Sequence, residues 1–368
     1  MIALRSCLAT LVALGLLAAC GKSDKEAVSD SAKIEKGVGT PVPVAGETQA
    51  VATQAADAAD DPAIWVDAKD TSRVVIFGTD KQAGLYSYDL AGKVTQFIPD
   101  GRLNNVDLRD GFPTPSGEKV LVAASDRGRM GAALYLLDPA TLQTTPWGVA
   151  KLDLAEPYGL CMGKRGDDFI VIVNGTDGQV RQMSIKAGAD GAIVSTEEKR
   201  YAVGSQTEGC VVDDAKGVLY IGEEDHAIWR YSLDPAAGDA RTQIASAPSA
   251  MITPDVEGLA LLRDGDKTWL IASSQGDSTF PVWRVDGETP VYAGRFSAMA
   301  ANGVDGVTGT DGVTAQGGAV RAFPEGLVVM QDDVDTEGEV LSTTRGRQNF
   351  KLVDWRAVKS ALKLDAGP

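Results

Sequence analysis

The chain has 368 residues, a formal net charge of −16 and a hydrophobic share of 44%. This length allows one large domain or two or three ordinary ones, and the apolar share is that of a globular protein with a substantial core. The charge argues against nucleic-acid binding, because no basic patch is available to displace counterions from phosphates. His226 is the only histidine, which argues against Ser-His-Asp hydrolysis and against a His/Cys zinc site.

Residues 1–19 have the pattern of a signal peptide, with Arg5 before an apolar stretch that is too short to span a bilayer comfortably. The segment Leu17-Ala18-Ala19-Cys20, followed by Gly21, resembles a bacterial lipobox. We therefore expect cleavage before Cys20 and lipid attached to its sulfur. The expected location is the bacterial cell envelope, as an outer-membrane lipoprotein that meets the membrane only through this lipid. A secreted or periplasmic protein is the alternative.

The rest of the chain divides into three predicted parts. Residues 20–46 lack hydrophobic periodicity and are predicted to form a flexible tether. The folded domain is predicted to span residues 47–358, and residues 359–368 to form a C-terminal tail. An oxidising envelope would permit a disulfide between Cys161 and Cys210, but we expect two small unpaired side chains buried in strands.

A polar or acidic turn recurs about every fifty residues, which is the length of a repeated structural unit. The turns are Asp60-Asp61-Pro62-Ala63, Asn104-Asn105-Val106-Asp107, Glu156-Pro157-Tyr158-Gly159, Thr207-Glu208-Gly209, Val256-Glu257-Gly258 and Thr310-Asp311-Gly312. Short apolar runs and alternating apolar and polar runs lie between them, which indicates several short strands in each unit. Six such units predict an all-β, six-bladed β-propeller, closed by pairing of residues 47–53 with residues 348–355. Two packed sandwiches are the alternative, which the even spacing disfavours.

In a propeller the equivalent turns of all blades lie at the same height, so the acidic turns should converge on one mouth of the central channel. Gathered carboxylates repel one another, and the site must therefore hold cations or spread the carboxylates into solvent. Oxygen ligands in this number suit Ca²⁺. The converging side chains are Asp60, Asp61, Asp107, Glu208, Asp255, Glu257, Asp305 and Asp311.

Two cations, Lys81 and Arg127, each follow an apolar strand and are predicted to lie in loops between strands. Against the acidic background they could bind an anion, or they could be solvated turn residues. Their spacing alone does not decide between these possibilities.

Several segments between about residue 57 and residue 355 resemble, in order, those of the β-propeller phytases. They are Asp60-Asp61-Pro62-Ala63-Ile64-Trp65, Leu103-Asn104-Asn105-Val106-Asp107, Ser205-Gln206-Thr207-Glu208-Gly209, Glu223-Glu224-Asp225, Asp255-Val256-Glu257-Gly258, Ala272-Ser273-Ser274-Gln275-Gly276 and Gln348-Asn349-Phe350-Lys351. The resemblance implies a calcium-dependent phosphomonoesterase of the 3-phytase type. Its substrate would be myo-inositol hexakisphosphate, or phytate.

The resemblance also implies roles for individual residues. The calcium ligands or their close supports would be Asp61, Asn104, Tyr158, Glu208, Asp255, Glu257, Asp305 and Asp311. The catalytic set would be Lys81, Arg127, Tyr158, Glu208 and Glu224, of which Lys81, Arg127 and Tyr158 would hold the phosphate to be cleaved. Where the family often carries a Lys-Glu pair in a neighbouring phosphate-holding site, this chain has Thr176-Asp177. Asp177 is thus the predicted substrate-binding residue there, and Thr176 cannot supply the missing charge.

Charge considerations suggest a mechanism. A polyanionic substrate cannot enter an acidic mouth unless bound cations invert the local potential, so we expect several calcium ions and phytate bound as its calcium complex. The ions could activate a water while Lys81 and Arg127 neutralise the phosphoryl oxygens, giving lower inositol phosphates and phosphate. We expect a monomer. A six-bladed calcium-dependent lactonase and a non-enzymatic surface-binding propeller are the alternatives; the paired cations argue against the lactonase.

Overall fold

The computed structural model describes residues 39–54, 57–334, 336–337, 340–341 and 347–366. They form six sheets arranged as the blades of a β-propeller, together with a separate two-stranded hairpin. The predicted six-bladed fold is confirmed. The predicted signal peptide, Cys20 and the first part of the predicted tether lie outside the described residues. No helix within the described ranges is long and apolar enough to cross a membrane.

Two short strands precede the first blade, namely β1 (Thr40–Pro43) and β2 (Gly46–Glu47). Blades 1 to 4 then each consist of four consecutive antiparallel strands. Blade 1 contains β3 (Ala59–Val66), β4 (Val74–Asp80), β5 (Gly84–Tyr88) and β6 (Val94–Ile98). Blade 2 contains β7 (Leu103–Thr114), β8 (Gly117–Asp126), β9 (Gly131–Leu137) and β10 (Thr144–Lys151). Blade 3 contains β11 (Pro157–Arg165), β12 (Asp168–Gly175), β13 (Gln179–Ala187) and β14 (Ile193–Ala202). Blade 4 contains β15 (Thr207–Asp213), β16 (Val218–Glu223), β17 (Ala227–Ser232) and β18 (Arg241–Ser246).

Blades 5 and 6 combine later strands with the two strands from the N-terminal side. Blade 5 contains β19 (Leu259–Asp264), β20 (Lys267–Ala272), β21 (Phe280–Arg284) and β22 (Val291–Met299), and β1 is its fifth strand. Blade 6 contains β23 (Val313–Gly317), β24 (Gly326–Asp332) and β27 (Asn349–Asp354), and β2 is its fourth strand. The hairpin of β25 (Thr336–Glu337) and β26 (Val340–Leu341) lies between β24 and β27. The helix α1 (Trp355–Leu362) follows, and short 3-10 turns occur at Pro235–Ala237, Gln275–Asp277 and Leu364–Ala366.

The ring is closed from the N-terminal side, as predicted. Strand β2 pairs antiparallel with β27, with Glu47 opposite Lys351. In addition, β1 pairs in parallel with β22, with Thr40 opposite Phe296. Part of the predicted tether is therefore ordered, because Val42 is fully buried in the core between blades 5 and 6. The folded part begins earlier than the predicted boundary at residue 47.

The C-terminal boundary also differs from the prediction. Residue 358, the predicted end of the domain, lies inside α1. The helix begins where the Asp354 carboxylate accepts a hydrogen bond from the Arg356 N–H, which caps it. Trp355, Val358 and Leu364 are buried in the same core as Val42. The segment predicted as a tail is thus partly helix that covers an apolar surface.

The core consists of six hydrophobic clusters within the described residues, one at each junction between neighbouring blades. The second strand of a blade is covered on both faces, and every residue of β4 and of β24 is buried. Strands buried on both faces read as continuous Val, Ile and Leu runs, which is the pattern in the sequence. At the closing junction Phe350 of blade 6 lies 6.1 Å from Tyr88 of blade 1, measured between ring centroids. A closed ring of such junctions is incompatible with two separate sandwiches.

The cysteine prediction was wrong. Cys161 on β11 and Cys210 on β15 form a disulfide, with their Cα atoms 5.5 Å apart. The two residues are 49 positions apart in sequence, which is about one repeat, and neighbouring inner strands therefore bring them side by side. The bond joins blades 3 and 4.

Candidate functional site

The first strand of each blade lines the central channel, and each contacts the first strand of the next blade around the whole ring. The channel has a volume of about 480 Å³. Each inner strand begins at the same mouth, and the second strand returns to it. Acidic or amide residues at the start of inner strands, such as Asn104 and Glu208, therefore meet residues that follow second strands, such as Lys81 and Glu224.

A glycine follows the acidic residue at the start of blades 4, 5 and 6, in Glu208-Gly209, Glu257-Gly258 and Asp311-Gly312, and Gly159 has the equivalent position in blade 3. These glycines allow the convergence. A Cβ on Gly209 would lie 1.7 Å from the carbonyl oxygen of Glu257, and a Cβ on Gly159 would lie 1.9 Å from that of Glu208. Such distances are impossible for real atoms, so only glycine permits neighbouring inner strands to approach this closely. The repeated acidic-Gly pair in the sequence is thus a packing requirement that places the carboxylates.

We expect Gly209→Ala to destabilise the protein by about 3 kcal/mol, because the added methyl group would force β15 away from the segment that carries Glu257. The midpoint of thermal unfolding measures the effect. Gly46→Ala is the matched control, since a Cβ there meets nothing within 4 Å. Equal midpoints for the two variants would contradict this account of the inner ring.

Three buried glutamates form the centre of the mouth. Carboxylate oxygens of Glu208, Glu224 and Glu257 all lie within 4.8 Å of one another. The Asn104 Nδ2 group donates to Glu208 Oε1 at 2.6 Å, and the Asn174 Nδ2 group donates to the carbonyl oxygen of Glu208 at 3.0 Å. The first contact holds the Glu208 carboxylate in place, and the second holds its backbone.

Burial and neighbouring carboxylates disfavour the charged form of two of the three glutamates, Glu224 and Glu257. Burial, followed by the charges of Glu208 and Asp255, raises the pKa of Glu224 to about 9. Burial, followed by the charges of Glu208 and Glu224, raises the pKa of Glu257 well above its usual value. One oxygen of each glutamate (Glu208 Oε2, Glu224 Oε1 and Glu257 Oε2) is buried with no hydrogen-bond partner in the described part of the chain. Unpaired buried carboxylate oxygens are destabilising on their own, and this donor set fits a hard divalent cation.

A second group of carboxylates surrounds Lys81, which is 5% exposed. The Lys81 Nζ atom forms ion pairs with Asp57 at 2.7 Å, Asp60 at 3.0 Å and Asp311 at 2.7 Å. Burial opposes the charge of Lys81, but the carboxylates of Asp311, Asp60 and Asp57 outweigh it and raise the lysine pKa well above its usual value. The Gln275 Nε2 group donates to Asp311 Oδ1 at 2.5 Å. Lys81 is therefore a permanent cation among three acidic groups.

Asp61 and Tyr158 connect the two groups, and Asp255 lies near Glu224. Burial and the charge of Asp60 raise the pKa of Asp61, whose Oδ2 accepts a hydrogen bond from the Val106 N–H at 3.0 Å. Burial and the charges of Glu208 and Glu257 raise the pKa of Tyr158. The charge of Asp255 contributes to the raised pKa of Glu224. These three predicted residues thus lie close enough to the glutamates to share a site with them.

Asp305 lies in a different cluster. Its carboxylate forms an ion pair with Lys351, which is fully buried and also contacts Asp332 at 3.3 Å and Glu47 at 2.5 Å. Burial raises the pKa of Asp332 to about 8. This group is located where β2 joins the last blade, so Asp305 is placed with the ring closure and its lysine.

Neither Asp177 nor Arg127 forms a hydrogen bond or ion pair with the three glutamates in the described ranges. Asp177 is exposed in the turn after β12, where its Oδ1 accepts a hydrogen bond from the Gln179 N–H at 3.1 Å. Arg127 follows β8, and its Nε atom is buried with no hydrogen-bond partner among the described residues. No carboxylate in the described ranges forms an ion pair with Arg127. Its guanidinium is therefore the available cation at the rim.

Two residues that contact the site, Gln275 and Asp57, were not predicted from the sequence. Gln275 lies three residues after the second strand of blade 5, whereas Lys81 directly follows the second strand of blade 1. The two are nevertheless equivalent, because the Gln275 N–H donates to the carbonyl oxygen of Asp255 as the Lys81 N–H donates to that of Ala58. The different spacing hid this equivalence in the sequence. Asp57 precedes β3 and falls outside the repeated turns, so no sequence signal pointed to its contact with Lys81.

The fold and this mouth define a six-bladed propeller with a buried carboxylate site suited to a hard cation. A family model described as Phytase matches residues 5–367. The chain is 35% identical over 318 residues to the 3-phytase of Bacillus subtilis (strain 168), covering 83% of this chain and 81% of that protein. The chain therefore belongs to the phytase family. The solved "Structure of U3-55K" is 11% identical, with a TM-score of 0.47 over 85% of this chain and 99% of that one.

Proposed function

We propose that the protein is a calcium-dependent phosphomonoesterase that hydrolyses phytate to lower inositol phosphates and phosphate. Family membership supports the substrate class. The observation that carries the metal dependence is the trio Glu208, Glu224 and Glu257, whose buried, unpartnered oxygens converge within 4.8 Å. A monomer acting on the calcium complex of phytate is part of the same proposal.

The residues that would hold calcium are the three glutamates together with Asp60, Asp61, Asp255 and Asp311. Bound calcium would supply the countercharge for these carboxylates, activate a water and stabilise charge on the phosphoryl group. All-oxygen donors of irregular arrangement suit Ca²⁺ better than metals that prefer nitrogen or sulfur.

The chain's own cations would bind and orient the phosphate. Arg127 has a guanidinium without a carboxylate partner in the described ranges, so it can donate to a phosphoryl oxygen directly. Lys81 can do so once Asp60 and Asp311 have another positive partner, because its ammonium now pairs with both. Tyr158 has a raised pKa and therefore stays a hydrogen-bond donor at neutral and alkaline pH. The cations and the tyrosine together would neutralise and position the group to be cleaved.

Phosphate release from phytate, with calcium and after chelation, tests the proposal. We expect chelation to lower the rate by about a hundredfold or more, because the carboxylates then repel the polyanionic substrate. Restoring the rate by adding calcium back is the control for damage by the chelator. Equal rates in both conditions would overturn the calcium dependence, and hydrolysis of a sugar lactone without phosphate release would favour the lactonase.

A further inference from the structure

The turn that carries Arg127 connects β8 to β9 in blade 2 and is held from both sides. Asp126, the last residue of β8, is 1% exposed. Its Oδ1 accepts hydrogen bonds from the Gly128 N–H at 2.9 Å and the Arg129 N–H at 2.8 Å. The Arg127 N–H donates to the carbonyl oxygen of Arg102 at 3.0 Å. Three hydrogen bonds thus hold the backbone of this turn, and the Asp126 carboxylate accepts two of them.

Arg129, two residues after Arg127, binds the carboxylates of the turn. Its Nε group donates to Asp126 Oδ2, and its Nη2 group donates to Asp100 Oδ2 at 2.6 Å. The Tyr135 hydroxyl donates to the same Asp100 oxygen at 2.5 Å. Arg129 therefore bridges two acidic groups, one buried and one half-buried, and both are supported by further hydrogen bonds.

The two arginines of the turn differ in their partners. Arg129 has two carboxylates, whereas Arg127 has none within the described ranges and keeps a buried Nε without a partner. A buried carboxylate is stabilised by pairing with a cation, and Asp126 is next to Arg127 in sequence. Without Arg129, Asp126 and Asp100 would compete for the guanidinium of Arg127 and hold it away from an anion.

We infer that Arg129 is a positioning residue for substrate binding, which occupies Asp126 and Asp100 so that Arg127 remains free to bind the phosphoryl group. The inference rests on the proposed function, since it assumes that Arg127 binds the substrate. Arg129 itself is 39% exposed in its side chain and already has its charged partners, so it acts through the turn.

A double-mutant cycle of Arg129→Ala and Arg127→Ala, with phytate and saturating calcium, tests the inference. We expect Arg127→Ala to raise KM by roughly tenfold and Arg129→Ala to raise it severalfold, with kcat changing less than KM in both. The double variant should match Arg127→Ala alone, because Arg129 has nothing to position once Arg127 is absent. Arg129→Lys should recover part of the loss, since an ammonium can pair with one of the two carboxylates.

Two further variants distinguish a specific effect on KM from a general loss of stability. Arg284→Ala in blade 5 removes a similar arginine, which pairs with Asp286 at 2.8 Å away from the mouth, and it should leave KM unchanged. Arg129→Gln keeps the side-chain stem and an amide donor, and should raise KM with the same unfolding midpoint as Arg284→Ala.

Each remaining outcome overturns the inference in a recognisable way. An unchanged KM in Arg129→Ala and Arg129→Gln would show that Arg127 binds the substrate equally well without Arg129. Effects that multiply in the double variant would show that Arg129 acts independently of Arg127. An unchanged KM in Arg127→Ala would remove the role of Arg127 while leaving calcium-dependent hydrolysis intact. Failure of the unmodified protein to release phosphate would instead reject the proposed function.

Discussion

Glu208→Gln is expected to lower kcat/KM for phytate by about a thousandfold, the largest effect of any single substitution in the protein. Glu208 is 2% exposed and lies between Asn104 and the other two glutamates. The glutamine side chain has the same size and keeps an oxygen that can accept a hydrogen bond, but it removes the negative charge from the cluster. The cluster would then bind calcium less tightly. The water and the substrate would in turn lose the positive charge that bound calcium supplies.

The measurement is phosphate release from phytate together with a calorimetric titration with calcium. Glu198→Gln is the matched control, because Glu198 lies on the outer strand β14 and pairs with Arg165 at 2.8 Å. We expect the control to keep the calcium titration and the rate of the unmodified protein. A Glu208→Gln variant that binds calcium and turns over normally would show that the glutamate cluster is not the metal site.

Removing the disulfide, by Cys161→Ala with Cys210→Ala, is expected to lower the free energy of unfolding by about 4 kcal/mol, because the loop between the two residues gains conformational freedom in the unfolded chain. The bond spans 49 residues and joins the inner strands of blades 3 and 4. Calcium affinity should fall as well, since Tyr158 and Glu208 lie two or three residues from the two cysteines.

Denaturant titration of the double variant and of the unmodified protein, each with and without a reducing agent, checks this expectation. Reduction should destabilise only the unmodified protein, and the double variant is therefore its own control for side effects of the reductant. Identical midpoints in all four titrations would mean that the cross-link does not contribute to stability.

The repeat in the sequence predicted the fold because blade spacing, strand length and acidic turns are local properties. The same repeat predicted that Asp61, Glu208 and Glu257 converge, since equivalent positions of a closed ring face one mouth. It could not predict which side chains pair there. Lys81 binds Asp57 and Asp311, and Asp305 binds Lys351. These pairs depend on the three-dimensional arrangement of segments that are far apart in sequence, and the repeat does not specify that arrangement.

The disulfide and the first N-terminal strand, β1, were missed for a related reason. Cys161 and Cys210 read as small apolar residues, and only the register of neighbouring inner strands places them together. Residues 40–43 read as a polar and proline-rich tether, since four residues are too few to show an alternating pattern. Their order comes from Val42 filling a gap in the core between blades 5 and 6.

The strands β1 and β2 impose an order on the assembly of the ring. They are made early in synthesis, yet their partners β22 and β27 are made late, and the Asn349 side chain donates to Glu47 across 302 residues of sequence. Contacts of such long separation close slowly, because the whole intervening chain must be confined first. Blades 1 to 4 are each complete from local sequence, whereas blade 6 needs β2 as its fourth strand and blade 5 needs β1 as its fifth. The cluster of Glu47, Asp305 and Lys351 therefore exists only in the finished ring.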